Sequence, residues 1–134
     1  MFFLATVSYT IPYQCTTYSQ ISDSSRLTSY SCPGCYCDGA SYIGWYRFTG
    51  ASGSQLSTTA ASYGYCGAYY PAWFNGTYPT TPYTTILGTV CTYFSGNLCY
   101  APYSISAMPI TNCGTFYVHY LSSLGNCYAR YCTQ

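Results

Sequence analysis

The sequence predicts a small, mainly β, disulfide-rich extracellular domain with long loops and little helix, preceded by an N-terminal strand-forming arm. Three observations lead to that expectation. Ten cysteines, at 15, 32, 35, 37, 66, 91, 99, 113, 127 and 132, form an even set in a chain of 134 residues. In a neutral chain rich in Ser, Thr and Tyr, such a set reads as five disulfides made in an oxidising compartment. Short runs alternate apolar and polar residues with a period of two and end at Gly, Pro or Asn, which is the pattern of strands. No segment shows a convincing 3.6-residue period.

Charge is the outlier of the composition, at 4% of residues against about 25% in ordinary domains. The charged set is Arg26, Arg47, Arg130, Asp23 and Asp38, with neither lysine nor glutamate. Three arginines make no footprint for phosphates, so nucleic-acid binding is excluded. A hydrophobic content of 49% with 20 tyrosines argues against disorder. No apolar run approaches the roughly 20 residues that span a bilayer. Little charge repulsion keeps copies apart. Either glycans supply solubility, or association is part of the function.

The first element is the arm, residues 1–14, ahead of a cysteine-rich domain at 15–134. From Met1 to Tyr13, Phe3, Ala5, Val7, Tyr9 and Ile11 alternate with Leu4, Thr6, Ser8 and Thr10, so the segment reads as a strand. A signal peptide is the alternative, but the run is short and lacks a positive n-region. The polar stretch from Cys15 to Asp38 carries no firm assignment. Within it, Cys32, Cys35 and Cys37 crowd around a Pro-Gly turn, a knot of staples at the entry to the next strand.

That strand, Gly44 to Gly50, is read as the central one. Extended, it turns Trp45, Arg47 and Thr49 to one side and Tyr46 and Phe48 to the other. Ala51 to Gly64 is small and polar, a surface loop suited to O-linked sugars. Asn75-Gly76-Thr77 is an N-glycosylation sequon, and Asn-Gly is itself a turn signal, which places Asn75 on an accessible tip. Ile86 to Phe94 reads as a strand ending at Ser95-Gly96-Asn97. Thr115 to Leu121 is the clearest strand after the arm, with His119 half-exposed, and Cys127 to Cys132 is a short one stapled at both ends.

The blocks GWYRFTG at 44–50, CGAYYPAWFNGTYP at 66–79, VCTYFSGNLC at 90–99, CGTFYVHYL at 113–121 and the closing C…YC at 127–132 are specific in combination. They resemble the eight- or ten-cysteine domain of the uromodulin family, which includes a related pancreatic zymogen-granule membrane glycoprotein. The resemblance covers Cys15 to Cys132. Eight cysteines fit its pattern: Cys15, Cys37, Cys66, Cys91, Cys99, Cys113, Cys127 and Cys132. Leu98 stands where the ten-cysteine form has the first of a Cys-Cys pair, and the other cysteine of that form, between Ala51 and Tyr65, is missing. Cys32 and Cys35 fall outside the pattern and read as an added local pair. The resemblance implies an extracellular, non-catalytic module with a glycan on Asn75, of the kind that lectins recognise.

Against these stand the chemical alternatives. Cys32-Pro33-Gly34-Cys35 has the spacing of a zinc finger half-site, but there is no second CxxC and His119 is the lone histidine. An enzyme would have to draw on Asp23, Asp38 and His119, and none has an orienting partner in sequence. Neither metal nor cofactor is expected. Arg47 reads as packed on aromatic rings or paired with Asp38.

The favoured function is a non-enzymatic, secreted filament or matrix subunit that donates the arm to the sheet edge of another copy, with itself and covalent glycans as partners. The alternative is a glycan-displaying or glycan-binding adhesion or decoy module that meets lectins or stacks sugars on Trp73, Phe74 and Tyr78.

Overall fold

A computed structural model describes residues 10–134. It contains seven strands: β1 (Ser19–Ile21), β2 (Gly44–Phe48), β3 (Tyr70–Asn75), β4 (Thr85–Thr92), β5 (Ile105–Asn112), β6 (Tyr117–Leu121) and β7 (Ala129–Tyr131). Among the described residues, helix is confined to single 3₁₀ turns such as Tyr13–Cys15 and Ser24–Arg26. The mainly β, disulfide-rich expectation holds. The strands form one sheet in the order β1-β2-β6-β5-β4-β3-β7, antiparallel inside and parallel at both ends.

The arm falls largely outside the described residues, Phe3, Ala5, Val7 and Tyr9 included. Its described end departs from the expectation. Thr10 to Pro12 carry no regular structure, Tyr13 begins a 3₁₀ turn, and Ile11 is 51% exposed. Pro12, which has no N–H for a ladder, caps that turn through its carbonyl, which accepts from the Cys15 N–H at 2.9 Å.

β2 keeps the two faces read from its alternation. Trp45 meets Tyr120 edge to face at 5.4 Å, and the Arg47 guanidinium lies 3.9 Å over Phe116. Phe48 and Tyr46 join the main core on the other side. Its central position is a correction: β2 lies one strand from the edge, and the middle of the sheet is β5. Sequence reading made no assignment for β5, whose pattern Pro109 interrupts. In the structure the β5–β6 ladder runs only from Ile110 to Asn112, stopping beside the residue that lacks an N–H.

The main core packs on one face of the sheet, from Ile21, Phe48, Leu56, Phe74, Met108, Ile110, Leu121 and Tyr131 among others. Leu56 belongs to the stretch read as a surface loop. Ser52, Leu56, Ser57 and Ala61 are buried, so only parts of that loop face solvent. The reason is that the loop closes the sheet. Ser52 Oγ donates to Ile21 O on β1, while Leu56 and Leu27 both bridge to Thr133 just beyond β7. The two ends of a curled sheet are thereby joined through residues 26–28 and 52–57.

Disulfides lock this curl: Cys15–Cys113, Cys32–Cys35, Cys37–Cys127, Cys66–Cys132 and Cys91–Cys99. Three of them close loops of 98, 90 and 66 residues, each contributing about 4 kcal/mol or more in the chain-entropy account. Cys37 is therefore no partner within a local knot; it reaches forward to the strand-7 end of the chain. Cys32 and Cys35 do form the local pair.

The outer edge of β7 has its own closure. Asp38 Oδ2 accepts from the Tyr131 N–H at 2.9 Å, and Arg26 Nη1 donates to Tyr131 O at 3.1 Å. The two side chains pair with each other at 2.9 and 2.6 Å, with 1% and 3% exposure. A bidentate ion pair thus takes the place of a neighbouring strand. Removing one partner of a buried pair leaves the other charge uncompensated. Asp38→Ala is expected to lower stability by about 3–5 kcal/mol, read as a shifted denaturation midpoint at unchanged m-value with disulfides intact. A loss below about 1 kcal/mol would show that the closure is dispensable.

Candidate functional site

Asn75 is the last residue of β3, opposite Thr89 on β4, and the whole sequon Asn75-Gly76-Thr77 is exposed. Its flanks are not. On one side, Trp73 is half-buried and its indole N–H donates to Leu98 O at 3.0 Å. Phe74 turns into the core beneath the glycines. A Cβ on Gly76 would meet the Phe74 ring at 2.8 Å, and one on Gly88 closer still, so both glycines make room for that ring. On the other side, Tyr78 packs edge to face on Phe74 with centroids 4.9 Å apart. Its hydroxyl accepts from the Leu56 N–H at 2.8 Å. The sequon is a short exposed tip held by three anchored aromatics. Trp73, Phe74 and Tyr78 are consequently not the open sugar platform that the sequence allowed.

The Tyr78 hydroxyl also lies 2.7 Å from His119 Nε2. His119 is a correction to the half-exposed reading: it is fully buried, on the core side of β6 against Phe48. Alternation alone cannot tell which face of a strand meets the core when both faces carry aromatics. Burial pushes the His119 pKa down to about 3, and its Nδ1 has no hydrogen-bond partner among the described residues. Burial likewise raises Tyr78 well above the ordinary phenol range.

The carboxylates are engaged elsewhere. Asp38 is shared between Arg26 and Arg130, whose Nε lies 3.6 Å from Oδ1. Asp23 caps the Ser24–Arg26 turn, accepting from the Ser25 N–H and hydroxyl, and pairs with Arg130 Nη2. Burial opposes its ionisation, but the Ser25 bonds and Arg130 hold Asp23 below its usual value. Arg26 and Arg130 lie over Tyr42 and Tyr36 at 4.8 and 4.5 Å. Four of the chain's five charges form this one network. Arg47 was expected on rings or on Asp38; the rings hold it, with Tyr18 Oη accepting at 3.1 Å. Sequence reading missed the network. Its one available signal was scarcity, since so few charges in an apolar chain are best buried in pairs.

No cluster of three His, Cys, Asp or Glu side chains suited to a metal occurs among the described residues. The zinc-like CxxC is instead the Cys32–Cys35 disulfide. Within the described part, no helix is long and apolar enough to cross a membrane.

Sequence comparison with known proteins gives the family. The family model for the cysteine-rich, uromodulin-like domain matches residues 46–133. The chain belongs to that family. Pancreatic secretory granule membrane major glycoprotein GP2 of dog is 33% identical over 122 residues, which is 90% of this chain and 23% of that protein. Uromodulin of mouse is 32% identical over 122 residues, 90% of this chain and 18% of the relative. Human GP2 is 32% identical over 121 residues, covering 89% and 22%. The chain spans about a fifth of the length of these relatives. Cys15 and Cys37 precede the matched segment, and their disulfides to Cys113 and Cys127 tie the earlier residues to it.

The buried imidazole makes a pH dependence with a defined window. A histidine whose folded pKa is depressed binds its proton more readily when unfolded. Its contribution is therefore complete above the ordinary value of 6.5 and is lost as pH falls toward 3. The slope is at most about 1.4 kcal/mol per pH unit. Asp23 acts lower, since a depressed carboxylate loses its contribution only as pH falls below 3.8. Denaturation midpoints measured between pH 7 and pH 4 should fall for the wild type and stay nearly level for His119→Gln (~pH 4–7 isolates this imidazole from the carboxylates). A level wild-type profile would place His119 in contact with water.

Proposed function

We propose that this uromodulin-like domain is a non-enzymatic, secreted glycoprotein module that presents an N-linked glycan on Asn75. The observation that carries the reading is the sequon's geometry: three exposed residues at the end of β3, with Trp73, Phe74 and Tyr78 anchored on either side. A transferase needs the asparagine on an accessible, turn-like tip, and the fixed flanks then hold the sugar at one orientation for a lectin. Two further facts support it. All ten cysteines are paired, which fits an oxidising, extracellular compartment. GP2 is called a glycoprotein by name. The acidic groups and the imidazole, meanwhile, serve the fold's interior and converge on no common substrate space. Expressed in a eukaryotic secretory host, the wild type should lose mass on treatment with an N-glycosidase and bind a mannose-specific lectin. Asn75→Gln should do neither. Equal mass for the two proteins before treatment would overturn the reading.

A second reading is assembly, with residues 1–14 as an arm that donates a strand to another copy in a filament or matrix. One observation favours it: among the described residues, β7's outer edge is filled by Arg26 and Asp38, whereas nothing pairs with the outer edge of β1. An acceptor edge of only Ser19–Ile21 is short, but head-to-tail contacts of this type do not close and so extend. Deletion of residues 1–11 should abolish filaments seen by electron microscopy of the secreted protein. Filaments that form unchanged would remove the arm from the assembly.

A further inference from the structure

We propose that the cleft between residue 28, the 57–65 loop and Gln134 is a binding site for an uncharged pyranose unit of a glycan. The cleft encloses about 250 Å³ and is lined by Thr28, Ser57, Thr59, Ser62, Tyr65 and Gln134, with Ala60 and Ala61 between them. Clefts for drug-sized ligands run to roughly 300–1,000 Å³, so this one suits a single sugar ring. The larger opening, about 360 Å³ beside Thr81, Pro82, Tyr83 and Gly114, has an apolar lining and few convergent polar groups.

Three features of the cleft match the chemistry of a neutral sugar. The first is its set of hydrogen-bonding groups. Ser57 Oγ is spent on the loop itself, donating to Thr59 O and accepting from the Thr59 N–H, and Gln134 Oε1 accepts from the Thr58 N–H. The hydroxyls of Thr28, Thr59, Ser62 and Tyr65 and the amide nitrogen of Gln134 have no partner among the described residues. Hydroxyls both donate and accept, as the hydroxyls of a sugar require.

The second feature is the ring. Tyr65 is 44% exposed at the rim and offers an apolar face with a polar tip. A pyranose carries a C–H face and a hydroxylated edge, and this pairing of ring and hydroxyls addresses both.

The third is the absence of charge. Arg26, Asp38, Arg130 and Asp23 are committed to one another, and Arg47 to Phe116 and Tyr18. No charged side chain lines the cleft, which disfavours burial of an ionic ligand and favours a neutral one.

The site is also rigid before any ligand arrives. Ser57 donates its N–H to Cys132 O and accepts from the Phe74 N–H. Tyr65 bridges to Ser31, and Cys66 beside it is bonded to Cys132. Gly64, at φ 89°, packs so closely on Pro33 that a Cβ there would meet the proline at 2.9 Å. A preformed site spends little ordering entropy on binding.

The cleft shares no residue with the sequon, so unglycosylated Asn75→Gln protein tests it whether or not glycan display survives its own test. That protein would be titrated to about 10 mM, enough to reveal a Kd near 1 mM, with methyl glycosides of glucose, galactose, mannose and N-acetylglucosamine. Amide shifts would be followed by NMR, with the methyl glycoside of glucuronic acid as the charged comparison. Saturable shifts at Thr59, Ser62 and Tyr65 are expected for at least one neutral glycoside, insensitive to salt. Tyr65→Ala should weaken that binding by about tenfold or more, while Tyr65→Phe, which keeps the ring, should weaken it less. An intact disulfide pattern by peptide mapping shows that each variant has folded. No shift with any neutral glycoside, equal binding of the glucuronide, or unchanged affinity in Tyr65→Ala would each overturn the proposal.

Discussion

The carboxylate of Asp38 closes the outer edge of the sheet's last strand, accepting from the Tyr131 N–H while it pairs with Arg26. β7 is a three-residue parallel strand with one neighbour, and its outer backbone groups would otherwise face an apolar interior unpaired, at a cost of roughly 1–3 kcal/mol each. Asp38 takes the Tyr131 N–H and Arg26 supplies a donor to the Tyr131 carbonyl. Arg130, one residue back, reaches Asp23 and the Cys66 carbonyl. The network therefore ties the chain around residues 23–38 to β7 and to the loop at 66. Buried ion pairs seldom add net stability over apolar packing. What this one adds is position, because the fork of a guanidinium matches a backbone and a carboxylate in only one arrangement.

The same economy explains the surface. With four charges drawn into the network and Arg47 laid on Phe116, the exterior of the described residues is rich in hydroxyls, amides and tyrosines, with a few exposed aliphatics such as Ile43 and Leu87. Such a surface neither repels other copies strongly nor attracts ions. It is suited to neutral partners and to carrying sugars. The disulfides take over the work that a larger core would do in a chain of this size, and they do so mainly around the β7 end, where Cys37, Cys66, Cys127 and Cys132 gather. The exposed sequon and the hydroxyl-lined cleft both rest on that stiff frame, one through Tyr78 and Leu56, the other through Ser57 and Cys66.

Parts of this were open to a reader of the chain. The faces of β2, the strands around Ile86 and Val118, the local Cys32–Cys35 pair and the accessibility of Asn75 all follow from local rules: alternation, turn residues and short-range geometry. Other parts were not. The central strand was not assigned, and it carries Pro109, a residue that normally argues against one and that the early end of β6 pairing makes tolerable. Ser19-Gln20-Ile21 is too short and polar to declare itself, and becomes a strand because β2 lies beside it. His119 alternates with aromatics on the other face of β6, yet it is His119 that is buried while Tyr120 is exposed.

By itself, then, the amino-acid order determined a β-rich, crosslinked, nearly uncharged module of the uromodulin-like kind with an accessible sequon. All but the kinship are properties of composition, periodicity and nearest neighbours; the kinship rests on the resemblance of whole sequence blocks. Tertiary structure alone decided which cysteines meet across 66 to 98 residues, that Asp38 answers to Arg26 and Tyr131 rather than Arg47, and which hydroxyls converge beside Tyr65. Each of those is a contact between residues far apart in the chain. Its energy depends on distance and burial, and neither quantity exists until the sheet has curled and closed.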